Sequence, residues 1–546
     1  MIESVRKTFV TPRVFQVNHT ETIFRCGNLG NVEIFETSQA RLWQYNVRRF
    51  RGVRMRHIVT SVLAVFLLLL PAFAQSLELS DTVKQFVRAD APKIVLTHVR
   101  VIDGTGASAV DDQNVVIDGG KISVIEKGAD VAASAGATVL DLRGYTVMPG
   151  IVGMHNHLFY IAAPNLNSEW KSEPPLLVPQ MTFSAPRLYL AGGVTTMRTT
   201  GSVETYADLN LKREIDAGRL PGPHLDVTGP YLEGAESYFI QMPHLTSPDD
   251  ARQLVEYWAD RGVTSFKAYM NITRAELKAA IDAAHKRGIK VTGHLCSVTY
   301  KEAAELGIDD LEHGFFVNTQ LDPGKKPDIC SDSFGFYTLE HMTPDSAEGK
   351  DLIETLVKHH VAITSTLPVF DGGADESGSG DHPRITQKAF DAMSPDARIA
   401  VLYLRHRPAS IPPPKTDPAS LWKHDLAMER AFVAAGGLLI AGPDPTGAGN
   451  VVPGFGDQRE IELLVEAGFS PVEAIKIATL NGAVYLGRDK QIGSIAAGKN
   501  ADLVVIKGDP SKKISDVENV EIVFKDGIGY DSQKLLDSVK GRYGQY

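Results

Sequence analysis

Two histidines one residue apart, His155 and His157, close the apolar run Pro149-Gly150-Ile151-Val152-Gly153-Met154. Side chains at i and i+2 of a strand leave the same face, so both imidazoles can meet one metal ion from one rigid element. A His-x-His by itself is weak, since many are surface accidents. Four more residues give this one weight, each set in or at the end of its own apolar run. Lys267 lies in Thr264-Ser265-Phe266-Lys267-Ala268-Tyr269-Met270, and His294 ends Val291-Thr292-Gly293-His294. His313 lies in Asp310-Leu311-Glu312-His313-Gly314, and Asp444 ends Leu438-Leu439-Ile440-Ala441-Gly442-Pro443-Asp444. Imidazole and carboxylate are suitable ligands for zinc and similar divalent ions. Any one of these residues alone is more often packed or at the surface. Six of the right type in matching positions point to one metal centre.

The elements that must position them follow a strand–helix rhythm. Apolar or β-branched runs recur near 148–158, 193–200, 224–229, 263–270, 289–294, 309–315, 361–369 and 437–443. Helical stretches separate most of them. Thr273 to Arg287 has apolar residues at i, i+3 and i+4, and Gly288 stops it. Eight strands alternating with helices predict an α/β fold, a (β/α)8 TIM-like barrel over 148–488; a doubly wound open sheet is the alternative. In a barrel the C-terminal strand ends circle one mouth, where active sites sit. The chain lacks a Gly-x-Gly-x-x-Gly after a strand and a Gly-Lys-Ser/Thr loop, so nucleotide binding has no support.

On either side of the barrel the texture is short β segments. Residues 93–147 contain the hairpin signal Asp118-Gly119-Gly120 between apolar runs, and 489–530 contain Ala501-Asp502-Leu503-Val504-Val505-Ile506. Each piece is too short for its own core. They are expected to meet in one small β-sandwich built from both ends of the mature chain. Residues 371–420, between the seventh and eighth runs, break the rhythm with a Gly/Ser-rich start and Ile411-Pro412-Pro413-Pro414. They read as a lid-like insertion, or else as a surface loop.

The chain has 546 residues, 43% of them hydrophobic, and a net charge of -10. Residues 1–74 hold 10 Lys/Arg against 4 Asp/Glu, so the remainder carries -16. An acidic body argues against nucleic acid as a partner. The basic end resembles a targeting device: arginines from Arg48 to Arg56, an apolar run from Ile58 to Leu70, then Ala72-Phe73-Ala74. This reads as a secretory signal peptide over 55–74. The run is about 13 residues and a span needs about 20, so no stable membrane anchor is expected after cleavage. Export to the periplasm or medium follows. Met55 stands where such a signal should begin, so residues 1–54 are read as an upstream start-site extension or a poorly ordered one. Cys296 and Cys330 remain after processing; a single bridge and two buried thiols are both open.

The chain resembles the metal-dependent amidohydrolase superfamily from about residue 93 to 530. The Pro-Gly-x-x-x-x-His-x-His signature at 149–157 and the Ala497-Gly498-Lys499-Asn500-Ala501-Asp502-Leu503-Val504 stretch carry the likeness. Glu312-His313-Gly314 is similar to the prolidase- and imidazolonepropionase-like branch, and Ser265-Phe266-Lys267 to hydantoinases and dihydroorotases. The resemblance implies two divalent ions, zinc in the first instance. His155, His157 and Asp444 would hold one, His294 and His313 the other, and a carboxylated Lys267 would bridge them. It implies attack on an amide carbonyl by a metal-bridging hydroxide, with Asp444 as acid and base. Dipeptides or N-acyl amino acids are the expected small-molecule substrates, and homo-oligomerisation is compatible.

Three rival readings share the residues. A mononuclear deaminase has no use for a strand-four lysine. A lactonase or phosphotriesterase uses the same site on another bond. A silent binding protein would be expected to lose ligands that this chain keeps. Substrate contacts are thinly marked: Arg198 for a carboxylate, and Tyr231, Tyr238 and His244 on the loop after the third strand.

Overall fold

The computed structural model describes residues 78–128, 136–160, 167, 178–235, 240–371, 387–406, 417–445 and 451–544. The expected extension (1–54), the signal peptide (55–74) and Tyr238 lie outside the described residues. Among the described residues no helix is long and apolar enough to cross a membrane.

The first six strands are β1 (Val87–Ala89), β2 (Lys93–Val101), β3 (Val110–Asp118), β4 (Lys121–Lys127), β5 (Ala137–Asp141) and β6 (Tyr145–Pro149). Gly119 and Gly120 turn β3 into β4 with φ of +54° and +79°, the left-handed pair that a two-residue hairpin requires. The last three strands, β15 (Leu503–Lys507), β16 (Val520–Lys525) and β17 (Ile528–Asp531), join the same nine-stranded sheet. The seam is β15 on β6, antiparallel from Leu503–Pro149 to Lys507–Tyr145. The two ends of the chain therefore share one core, in which Ile94, Leu96, Val115, Ile117, Val147, Leu503, Val505 and Phe524 are all buried. Burying each such side chain stabilises by about 1.5–3 kcal/mol, which neither end could gather alone. This layer reaches further than the sequence limits of 93 and 530. β1 pairs with β17 at the edge, and helix Ser532–Val539 packs behind it. Three residues are too few to show an alternating pattern.

Between the two ends lie β7 (Ile151–Gly153), β8 (Val194–Arg198), β9 (His224–Asp226), β10 (Ser265–Ala268), β11 (Lys290–Gly293), β12 (Asp310–Glu312), β13 (Ala362–Ser365) and β14 (Leu439–Ala441). All pair in parallel, β7 to β9 in one run and β10 to β14 in another. Gly229 N donates to Ser265 O at 2.9 Å beyond β9, and Met154 N donates to Ala441 O at 2.8 Å. These links join the two runs on both sides, so the eight strands close in sequence order. The predicted barrel is the observed one. A Thr273–Glu276 capping box opens helix Arg274–His285 between β10 and β11, and Gly288 follows at φ +67°.

The insertion is helical where it is described, with Gln387–Ala392, Pro395–His406 and the start of Pro418–Ala434. Ser394 N donates to Tyr543 O and Tyr543 N to Ala392 O, at 2.8 and 2.9 Å, so this part docks on the chain's last described residues. The Gly/Ser-rich and Pro-rich stretches, 372–386 and 407–416, lie outside the described residues.

Candidate metal centre

All six sequence-predicted ligands meet at the C-terminal end of the barrel. His157 Nε2 lies 3.1 Å from Asp444 Oδ1, and His155 Nε2 lies 3.6 Å from the same oxygen. His313 Nδ1 is 3.9 Å from Asp444 Oδ2. Lys267 Nζ stands 3.1 Å from His155 Nε2. The His294 ring is 4.4 Å from that of His313, centroid to centroid.

Backbone geometry aims these groups. His313 and Asp444 sit at φ +71° and +50°, left-handed conformations that cost a non-glycine residue about 1–3 kcal/mol. Asp444 N donates to His155 O at 3.0 Å, tying the eighth strand end to the first. The Tyr189 hydroxyl accepts from His157 N and donates to His157 O. Between the two histidines, Asn156 turns the other way and donates to Asp457 Oδ1 at 3.0 Å. Both histidines lie past β7, which ends at Gly153, so the bend after the strand rather than strand alternation brings their rings to the cluster.

The electrostatics suit metal ligation. Burial holds the imidazoles of His155, His157 and His313 below their ordinary value and takes His294 down to about 3. All four are therefore neutral, the form that binds metal. His313 Nε2 is buried with no hydrogen-bond partner, so a lone pair remains there for an ion. Burial opposes charge on Asp444, but His155, His157 and Lys267 outweigh it and hold the carboxyl far below its usual range. Burial brings Lys267 down to about 8, against the pull of Glu312 and Asp444. The donor set of neutral imidazoles, one carboxylate and a readily deprotonated lysine fits divalent metal.

Arg198 does not reach substrate. It is fully buried beneath the centre, where Nε donates to Met154 O and NH2 to Asp310 Oδ2 and Glu312 Oε1, each of the last two at 2.8 Å. Its charge answers the two carboxylates that the inward face of β12 presents. Tyr231 does border the centre, with its ring centroid 5.4 Å from Lys267 Nζ. His244 is exposed, pairs its backbone with Glu233, and lines a cavity with Ala235, Asn271 and Cys330.

Sequence reasoning missed several participants. Glu312 accepts from His155 Nδ1 at 2.7 Å, and Thr366 Oγ1 lies 2.9 Å from His313 Nδ1. Phe159 stacks on His157 and Tyr269 stands edge-on to His294. The signal for Glu312 was present: Asp310 and Glu312 alternate inside an apolar strand, where carboxylates need a partner. Cys296 and Cys330 are bridged, with Cα atoms 4.7 Å apart. The bridge begins two residues after His294.

Comparison with known proteins identifies the family and the fold. The amidohydrolase family model matches residues 146–528. An imidazolonepropionase of Clostridium tetani is 36% identical over 114 residues, 19% of this chain and 26% of that protein. An N-substituted formamide deformylase of Arthrobacter pascens is 39% identical over 85 residues, 15% of each. The chain thus aligns with about a quarter or less of these relatives' length. Among solved structures, a Xaa-Pro dipeptidase with methionine bound in its active site superposes with TM-score 0.58 at 22% identity, covering 80% of this chain and all of that one. At that identity the likeness speaks for the fold.

Proposed function

Since the chain belongs to the amidohydrolase family, we propose that it is an exported hydrolase that cleaves amide C–N bonds, with dipeptides or N-acyl amino acids as its substrates. The observation that carries the proposal is the convergence of four neutral imidazoles, Lys267 and Asp444 at one barrel mouth. His155, His157 and Asp444 would hold one divalent ion and His294 and His313 a second, with carboxylated Lys267 between them. Such ions, when bound, supply a hydroxide nucleophile at neutral pH and polarise the scissile carbonyl. The chain's own residues do the rest. Asp444, ionised and on the mouth side of the cluster, accepts the nucleophile's proton and returns it to the leaving amine. Phe159, Tyr231 and Tyr269 wall the cluster with aromatic surface that keeps bulk water from it.

Relatedness to an N-substituted formamide deformylase supports amide chemistry. The lysine beside His155 speaks against a mononuclear deaminase. Export is supported by the charge pattern of residues 48–74 and by the Cys296–Cys330 bridge, since disulfides persist in oxidising compartments.

The deciding experiment assays dipeptides, N-acyl and N-formyl amino acids, lactones, aryl phosphotriesters and aminopurines with added Zn²⁺ or Mn²⁺. Turnover of amides in preference to all others is expected. Turnover of lactones or phosphotriesters alone would replace the proposal with the ester or phosphotriester reading. Ammonia release from purines alone would replace it with deamination.

A further inference from the structure

A second cluster lies at the opposite end of the barrel. His224 is the first residue of β9, Asp502 precedes β15, and Asp526 begins the turn between β16 and β17. One ligand atom from each lies within 4.8 Å of the other two. His224 Nε2 stands 3.0 Å from Asp526 Oδ2. Asp502 is 3% exposed, and its Oδ1 accepts the Asp526 backbone N–H at 2.8 Å. Its other oxygen, Oδ2, is buried with no hydrogen-bond partner. A lone pair on a buried carboxylate is costly to leave unanswered, and here it is left so beside an imidazole and a second carboxylate.

We propose that His224, Asp502 and Asp526 form a structural site for one divalent transition-metal ion, of the zinc class, that clasps the nine-stranded sheet to the base of the barrel. The donor set is one nitrogen and two carboxylates. A tetrahedral ion with bonds of about 2.0–2.1 Å sets its ligand atoms roughly 3.3 Å apart, and the contact from His224 to Asp526 is already near that spacing. The Asp526 side chain is 41% exposed, which leaves one side open for entry and for a water as fourth ligand. The three ligands come from β9 and from two segments of the nine-stranded sheet, so the ion would add a cross-link between that sheet and the barrel. Lys525 competes for it. Its Nζ lies 3.8 Å from Asp526 Oδ2, and its charge opposes a cation there. The site is independent of the proposed catalysis, because none of its residues belongs to the mouth cluster.

The test uses the full chain equilibrated with Zn²⁺ and dialysed. Wild type should retain one more equivalent of zinc than Asp502→Asn or His224→Gln, with turnover unchanged in both. The difference is read between proteins, so it does not depend on how many ions the mouth holds. Lys525→Gln should fill the site at lower Zn²⁺ concentration than wild type. Anomalous scattering at the zinc edge from wild-type crystals should place an ion among the three residues, and this needs no variant to fold. Equal zinc content in wild type and both variants would overturn the proposal. So would the absence of anomalous density at this site in crystals saturated with zinc.

Discussion

Nδ1 of His155 donates to Oε2 of Glu312 across 2.7 Å, and neither side chain reaches solvent. That bond fixes the tautomer, so the Nε2 lone pair faces Lys267 and Asp444. Glu312 is itself held by Arg198. Such outer partners of a metal-binding histidine are typically worth about 10–100-fold in metal affinity or activity. Glu312→Gln should therefore lose metal to a chelator at a free-metal concentration higher by that factor. Metal analysis after dialysis against graded chelator checks it, and retention equal to wild type would refute the role.

Asp444→Asn keeps an oxygen ligand and removes the proton acceptor. It should lower kcat by about 100-fold or more and change KM much less. Steady-state kinetics on the best amide substrate decide. A kcat within twofold of wild type would remove Asp444 from acid–base work.

Lys267 is drawn down to about 8 by burial. Below that pH it is an ammonium and cannot attack carbon dioxide; above it the free amine grows. Reactivation of metal-stripped protein by Zn²⁺ plus bicarbonate should thus be faster at pH 8.5 than at pH 6. Lys267→Met should show no response to bicarbonate at either pH. A wild-type rate independent of bicarbonate would argue against carboxylation.

Behind β13 lie Asp425, Glu429 and Glu460, all buried, with unpartnered oxygens on each. Burial pushes Asp425 and Glu460 up to about 8 and Glu429 well above its ordinary value. For a carboxyl raised on folding, the stability it contributes is full below the unfolded value, near 4, and is lost as pH rises through the folded value, near 8. Thermal midpoints should fall between about pH 5 and pH 8, and Glu460→Gln should flatten part of that fall. An unchanged slope in differential scanning calorimetry would show that Glu460 does not titrate there.

The Cys296–Cys330 bridge closes a sequence separation of 34 residues. Loop-closure entropy makes such a bridge worth about 3–4 kcal/mol. Cys330→Ser, or reduction of the wild type, should lower unfolding stability by about that amount and loosen the segment after His294. Urea denaturation with and without reductant measures it, and equal midpoints would mean that the bridge contributes nothing.

How the protein divides between sequence and tertiary structure is visible in particular residues. The candidate ligands were legible because each lies in or just past an apolar run, close to where the run stops. The barrel was legible because eight such runs recur with helical spacing between them. The left-handed backbone at His313 and Asp444, by contrast, leaves no mark in residue type. Arg198 shows the limit most clearly. As sequence it is a cation near a strand end, suited to a substrate carboxylate. In the fold it points inward, because Asp310 and Glu312, more than a hundred residues later, need its charge inside the barrel. The pairing of Cys296 with Cys330 and the meeting of His224 with Asp502 and Asp526 are of the same kind. Periodicity is a local property and survives in the sequence. A contact between distant segments depends on how the barrel closes and how the two ends of the chain share one sheet, and only the tertiary structure decides that.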